Sequence, residues 1–268
     1  MDIFSETRQN IMVKGMSMEN SKNNPSENSE KSVEIWNSIL RGAMNLPGAR
    51  INRADYLRKE LSKRVNKEEL EKAIDTSPGE ARIKASIIEK IAKSSINWHT
   101  AKTTGLSTLA GLPGGWIMAG TIPADLIQFY YHVIQIIQKL AYLYGWPQLT
   151  DEDDNIDDET LLRVTLFIGV MFGTDVANKA IKTLATRLAT EIEKRLPQKA
   201  LTKYGIYNVS KKVGLWIGIK VTKDSFSKSV GKLIPILGGI ISGTITFFTF
   251  RPMSKRLKKH LKGLDLAK

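Results

Sequence analysis

Between Thr103 and Ala124 the chain carries no charge. The apolar character then continues past Asp125, through GLSTLAGLPGGWIMAGTIPADLIQFYYHVIQIIQKLAYLYGW at residues 105–146. After Asp125 only Gln, His and one Lys interrupt it. A stretch of this length must be buried against something, as the core of a bundle, the wall of a site or a membrane hairpin. A second charge-free run, Leu233–Phe250, ends directly before RPMSKRLKKHLKG.

A transmembrane helix needs about 20 predominantly apolar residues. Leu233–Phe250 is near the lower limit and is rich in Gly, Pro, Ser and Thr, while Thr103–Ala124 is broken by Pro113 and Pro123. Monotopic attachment is therefore favoured over spanning. Trp98 and Trp146 flank the first hairpin where interfacial aromatics would sit. With 42% hydrophobic residues and a mean hydropathy of −0.20, a polytopic transporter is excluded.

The remaining periodicity is helical. Val33, Trp36, Ile39 and Leu40 recur at three- and four-residue spacing, and NLPGAR ends that segment. ADYLRKELSKRV and KEELEKAID read as short amphipathic helices closed by SPGE. Ile83, Ile87, Ile88 and Ile91 mark another helix up to Trp98. Residues 177–196 place Ile181, Leu184, Leu188, Ile192 and Leu196 on one side before Pro197. LTKYGIYNVSKKVGLWIGIKVTKDSFSKSV reads as helical, with Val209, Val213, Trp216 and Ile217 on its apolar side. Residues 1–31 are polar and poor in aromatics, the composition of disorder.

The expectation is an all-α, multi-helix bundle built from packed helical hairpins. It divides into a disordered segment (1–31), a helical domain (32–250) and a basic tail (251–268). Small residues four apart, Gly111, Gly115 and Ala119 in one run and Gly239 and Gly243 in the other, are expected to let helices approach closely.

Charge is unevenly placed. Residues 1–160 hold 19 basic and 22 acidic residues, a balance of −3, whereas residues 161–268 hold 21 and 5, a balance of +16. Such asymmetry suits an anionic partner. Arg251, Lys255, Arg256, Lys258 and Lys259 follow the second apolar run and are the candidate anionic-surface cluster, which would keep the C-terminus cytoplasmic. An anionic membrane surface or a membrane protein is the expected partner, with nucleic acid as the less favoured reading.

The segment 125–144 offers the sharpest chemical pattern. Asp125, Gln128, His132, Gln135 and Lys139 step by three, four, three and four, forming one polar stripe on an apolar helix. The stripe is the solvent edge of a core helix, the lining of a polar groove, or a catalytic row. Asp125 and His132 are the catalytic candidates, since an Asp–His pair on one face supports acid–base chemistry, although Asp125 also suits a helix cap. His99 and His260 are weaker candidates. QLTDEDDNIDDET imitates a calcium loop at Asp151, Asp153, Asn155 and Asp157. However, Ile156 replaces the turn glycine and Leu162 the closing Glu. No metal site and no cofactor is therefore expected, and Asp157 or Asp158 should cap the next helix. Phosphate-loop, dinucleotide and serine-elbow motifs are absent from the sequence. There is no cysteine, so thiol catalysis and disulfides are excluded. MDIFSETRQNIMVKG lacks the form of a secretory signal, so the expected location is the cytoplasm or the cytoplasmic face of the membrane.

AGLPGGWIMAGTIPADLIQFYYHVIQIIQKLAYLYGW resembles the central block of the bacterial EcsC family. There a Gly-rich turn leads through a small–Pro–Ala–Asp step into an apolar helix ending Ala–x–x–Tyr–Gly. KLIPILGGIISGTITFFTF resembles that family's late Lys–x–Ile–Pro block and its glycines, and TLFIGVMFG between them also fits. The resemblance covers about residues 85–255. It implies bacterial origin and membrane association, as an accessory to a transport or stress-related process. A hydrolase-like activity has been suggested for the family, which here would use a polar groove around Asp125 and His132. Of the family-typical polar residues, Asp125 is the first candidate for a role and Lys232 the second. The chain's own residues favour a non-enzymatic role.

Overall fold

The computed structural model describes residues 25–105, 124–150, 156–190, 200–226 and 243–268. They form ten α-helices and no strand, as expected of an all-α bundle. In order these are α1 (Pro25–Met44), α2 (Arg53–Leu61), α3 (Lys67–Asp75), α4 (Ala85–Gly105) and α5 (Ala124–Leu143). They continue with α6 (Asp158–Phe172), α7 (Asp175–Ala189), α8 (Ala200–Lys203), α9 (Tyr207–Phe226) and α10 (Gly243–Lys262). A short 3-10 turn, Asp265–Ala267, follows.

Local chemistry sets several boundaries. Asn52 caps α2 by accepting from the Asp55 N–H, and Asn66 and Glu69 form a reciprocal capping box on α3. Asp157 caps α6 through the Thr160 N–H, as expected, while Asp158 pairs with Arg41 at 2.7 Å. The calcium-loop mimic at 151–155 lies outside the described residues. Gly173 ends α6 at φ +79°, a left-handed conformation suited to glycine.

The two most buried helices, α5 and α6, form the centre. Trp36 of α1 meets Tyr130 of α5 edge-on at 4.9 Å and donates from its indole N–H to Thr165 of α6 at 3.0 Å. α4 runs antiparallel to α5, since His99 meets His132 while Glu89 meets Tyr144. α10 in turn runs antiparallel to α4, with Phe250 near His99 and Lys258 on Glu89.

Several expectations change here. Residues 25–31, assigned above to the disordered segment, belong to α1. The basic tail is no tail: α10 and its turn bury Met253, Leu257, Leu261, Leu264 and Leu266 in the core. Their apolar residues recur at helical spacing, so burial wins over charge. A Cβ at Gly145, which sits at φ +86°, would lie 1.9 Å from the Leu266 carbonyl oxygen. Trp146 is fully buried against Phe167 at 4.9 Å and sits at no interface.

The expected glycine contacts fall mostly outside the described residues: Gly111, Gly115, Ala119 and Gly239 all do, and Gly243 only begins α10. Close approach occurs elsewhere. A Cβ on Gly218 of α9 would stand 2.7 Å from Ser32 O of α1. One on Gly169 of α6 would stand 2.7 Å from the Ala177 Cβ and 2.8 Å from Val213 Cγ1. Among the described residues no helix is long and apolar enough to cross a membrane.

Candidate functional site

α5 carries two polar rows, of which only one was anticipated. The expected row is not a solvent edge: His132 and Gln135 are buried, and Gln128 and Lys139 are half-buried. Asp125 lies in the first turn of α5, its side chain outside the described set. The helix puts it about 10 Å along the axis from His132. His132 instead faces the imidazole of His99 from α4.

That contact builds the most chemically distinctive cluster described. The Nδ1 atoms of His99 and His132 are 3.3 Å apart, and Lys139 Nζ is 3.0 Å from His99 Nε2. His99 is fully buried, while the neighbouring Trp98 indole is 49% exposed. Lys139 Nζ stands 5.0 Å from the centre of the Trp98 ring and Lys102 Nζ 5.6 Å from it. Burial, then the fields of Lys139 and His132, push His99 down to about 2. Burial, Lys139 and Lys102 push His132 down to about 4, opposed by Gln135. Both rings are therefore neutral at neutral pH. Lys139 is also lowered, by burial first; Glu60 opposes the shift and Lys59 adds to it.

An ammonium has donors and no acceptor. His99 must therefore accept from Lys139 at Nε2 and donate from Nδ1 to His132 Nδ1. The proton of His132 is left on Nε2. This arrangement relays hydrogen bonds in one direction, but no carboxylate or nucleophile is described beside it. The described residues alone do not complete an acid–base triad there. No group of three His, Cys, Asp or Glu residues able to hold a metal occurs among the described residues.

The second row is Tyr131, Gln135, Gln138 and Tyr142, again stepping four, three, four. It holds the NLPGARIN loop. Tyr131 Oη donates to Pro47 O, Gln135 Nε2 to Gly48 O at 2.6 Å and Gln138 Nε2 to Ala49 O at 2.7 Å. Gln138 Oε1 accepts from Ile51 N at 2.9 Å, and Tyr142 Oη donates to Ile51 O at 3.1 Å. Pattern reading missed this row because tyrosine counts as apolar until its hydroxyl is placed.

A third place gathers charge and exposed apolar surface. Gly169, Ala177 and Val213 join α6, α7 and α9; Phe172 and Trp216 stand one turn on from Gly169 and Val213, and Val176 precedes Ala177 in α7. Val176 is 51% exposed and Trp216 42%, although Trp216 was expected on the core side. Phe172 and Trp216 meet edge-on at 6.0 Å, and Lys220 Nζ lies 4.8 Å from the Trp216 ring and 5.6 Å from Phe172. Lys212 is exposed on the same face of α9.

The candidate cluster on α10 divides between two roles. Arg256 reaches the α6 end, donating to Met171 O at 2.5 Å beside Gly173, where a cation complements the helix dipole. Lys255 and Lys259 are exposed, and Arg251 is half-buried. Lys258 instead pairs with Glu89 at 2.7 Å, as does Lys262 at 2.9 Å, and these bonds hold the Glu89 carboxyl below its ordinary value. Lys232 lies outside the described residues.

No family model, curated protein or solved structure matches the chain, so its resemblance to the EcsC family rests on the residues quoted for it.

Proposed function

We propose that the chain is a non-enzymatic helical protein that docks peripherally on an anionic membrane surface. Its role would be that of an accessory to a membrane transport or stress-related process. The observation that carries the reading is the exposed Trp216 ring set on the half-buried Phe172, with Lys220 over both rings. An amphipathic indole rests in the headgroup region with its ring toward the acyl chains, while a neighbouring lysine meets lipid phosphates. Arg256 brings positive charge to the end of α6, Lys212 is exposed on the Trp216 face of α9, and Lys255 and Lys259 are exposed on α10. The sequence balance of +16 over residues 161–268 has the sign such a surface requires. The EcsC resemblance implies the same location.

The test is co-sedimentation of the whole chain with phosphatidylglycerol and with phosphatidylcholine vesicles at low and high salt. Binding to the anionic vesicles alone, weakened by salt and by Trp216→Ser, is expected. Equal binding to both lipids, or none to either, overturns the reading. Salt-sensitive binding to duplex DNA without vesicle binding would replace it with the nucleic-acid reading.

A further inference from the structure

Charged side chains withdrawn from water are ordinarily paired, because desolvation disfavours an isolated charge. Lys139 is an exception. Its Nζ is held by the neutral His99 and by the Trp98 ring, and neither it nor Lys102 has a carboxylate within ion-pair distance among the described residues. Glu60 of α2 acts on Lys139 from farther away, and Lys59 of the same helix works against it.

Two ammoniums therefore approach one half-exposed indole, from α4 and from α5. Beside them His132 presents an N–H, because the hydrogen bonds running from Lys139 through His99 leave its proton on Nε2. The Trp98 and His132 rings are 6.4 Å apart. Gln135 is the neutral side chain that hydrogen-bonds the His132 ring, and among the described residues no carboxylate meets this convergence of donors.

We propose that Lys102, Lys139 and His132, grouped around Trp98, bind the phosphate group of a phosphomonoester. A phosphomonoester carries about −1.5 to −2 charges at neutral pH and three strong acceptor oxygens. Two lysines and an imidazole N–H match that charge and that number of acceptors better than they match a single carboxylate. The open part of the Trp98 ring offers the rest of the ester an apolar surface. The site stands on α4 and α5, apart from the α6–α7–α9 junction that carries the membrane reading. The phosphate comes from a soluble ester or from a monoester lipid headgroup.

The test uses the full chain, which has three histidines. Their C2–H resonances are followed by NMR during titration with inorganic phosphate at constant ionic strength. The resonance that His132→Asn removes is expected to shift saturably, and its titration to move upward, since a bound anion favours the charged ring. Lys102→Met, at an exposed position, should weaken the response about tenfold, and Lys139→Met should abolish it. Trp216→Ser should leave it unchanged, so that failure of membrane docking and failure of this site are separable. Preference for phosphatidic acid over phosphatidylglycerol vesicles, lost in Lys102→Met, identifies a lipid source. A phosphate response without that preference identifies a soluble ester. No saturable shift of the His132 resonance with phosphate, or a shift that survives in folded Lys102→Met and Lys139→Met, overturns the proposal.

Discussion

His99 and His132 face one another through Nδ1 at 3.3 Å, a contact that requires at least one of the two rings to be neutral. If both were protonated, two N–H groups would point at each other beside Lys139, inside the bundle. Helices α4 and α5 are thus joined by a contact whose integrity depends on proton occupancy.

Stability is expected to fall as pH drops below about 6.5, the ordinary histidine value. The unfolded chain then takes up protons that the fold refuses until about 4 at His132 and about 2 at His99. Folded values below unfolded ones give stability that is complete above 6.5 and is lost on acidification. Each histidine contributes at most about 1.4 kcal/mol per pH unit in that window. Urea unfolding at pH 7.5, 6.0 and 5.0 should show a shallower loss in His132→Asn than in the parent chain. Identical slopes would mean that His132 takes up its proton as readily in the fold as in the unfolded chain.

The helices were legible because each buries a stripe. Val33, Trp36, Ile39 and Leu40, or Ile181, Leu184 and Leu188, announce their own inward face. The His99 partnership was not legible. It depends on the register of α4 against α5 across residues 106–123, and local periodicity carries no information about that register. The solvent-edge reading of the polar row fails at His132 and Gln135, which are buried because α1, α2, α4, α6 and α10 all pack around α5. Trp216 shows the opposite error: its spacing suited a core position, yet the inward face of α9 is set by Val213, Gly214, Ile217 and Gly218.

Gln138 should prove critical to the loop between α1 and α2. It is fully buried, and its amide donates to Ala49 O and Ile134 O while accepting from Ile51 N and Thr150 Oγ1. Gln138→Leu leaves the loop's backbone groups without these partners, at a cost of about 1–3 kcal/mol for each buried group left unsatisfied. Amide exchange at Ile51 would report it directly and should accelerate well beyond any change at helix α6. Unchanged protection at Ile51 would show that Tyr142 and Gln148 hold the loop without Gln138.

Glycines in the helix crossings give a graded series. Gly218→Ala puts a methyl 2.7 Å from the Ser32 carbonyl oxygen, a backbone atom that cannot rotate away. Gly169→Ala meets the Ala177 Cβ and Val213 Cγ1 at 2.7 and 2.8 Å. Each should lose about 1–3 kcal/mol through overpacking. Gly214→Ala is the control. Its new methyl would meet Thr165 Cγ2 at an ordinary 3.7 Å, so the helix-propensity gain of up to about 1 kcal/mol remains. Chemical denaturation of the three variants should rank them Gly214→Ala above the parent and the other two below it.

Arg53 is expected to tolerate no replacement, including lysine. Its guanidinium reaches Trp146 O through Nε, and Ile74, Ala73 and Thr76 carbonyls through its two terminal nitrogens, at distances between 2.5 and 3.1 Å. It thereby closes the C-terminal end of α3 and ties it to the segment after α5. Burial lowers its pKa from the ordinary arginine value, yet arginine remains charged at any pH where the protein folds. Lysine keeps the charge but cannot span four carbonyls lying in different directions with three N–H groups on one atom. Arg53→Lys should therefore cost about 2–4 kcal/mol, the loss of charge-assisted bonds to buried carbonyls. Arg53→Met should cost no less. If Arg53→Lys instead unfolds at the parent's denaturant midpoint, water must replace the missing donors, and the junction would be more open than its buried carbonyls imply.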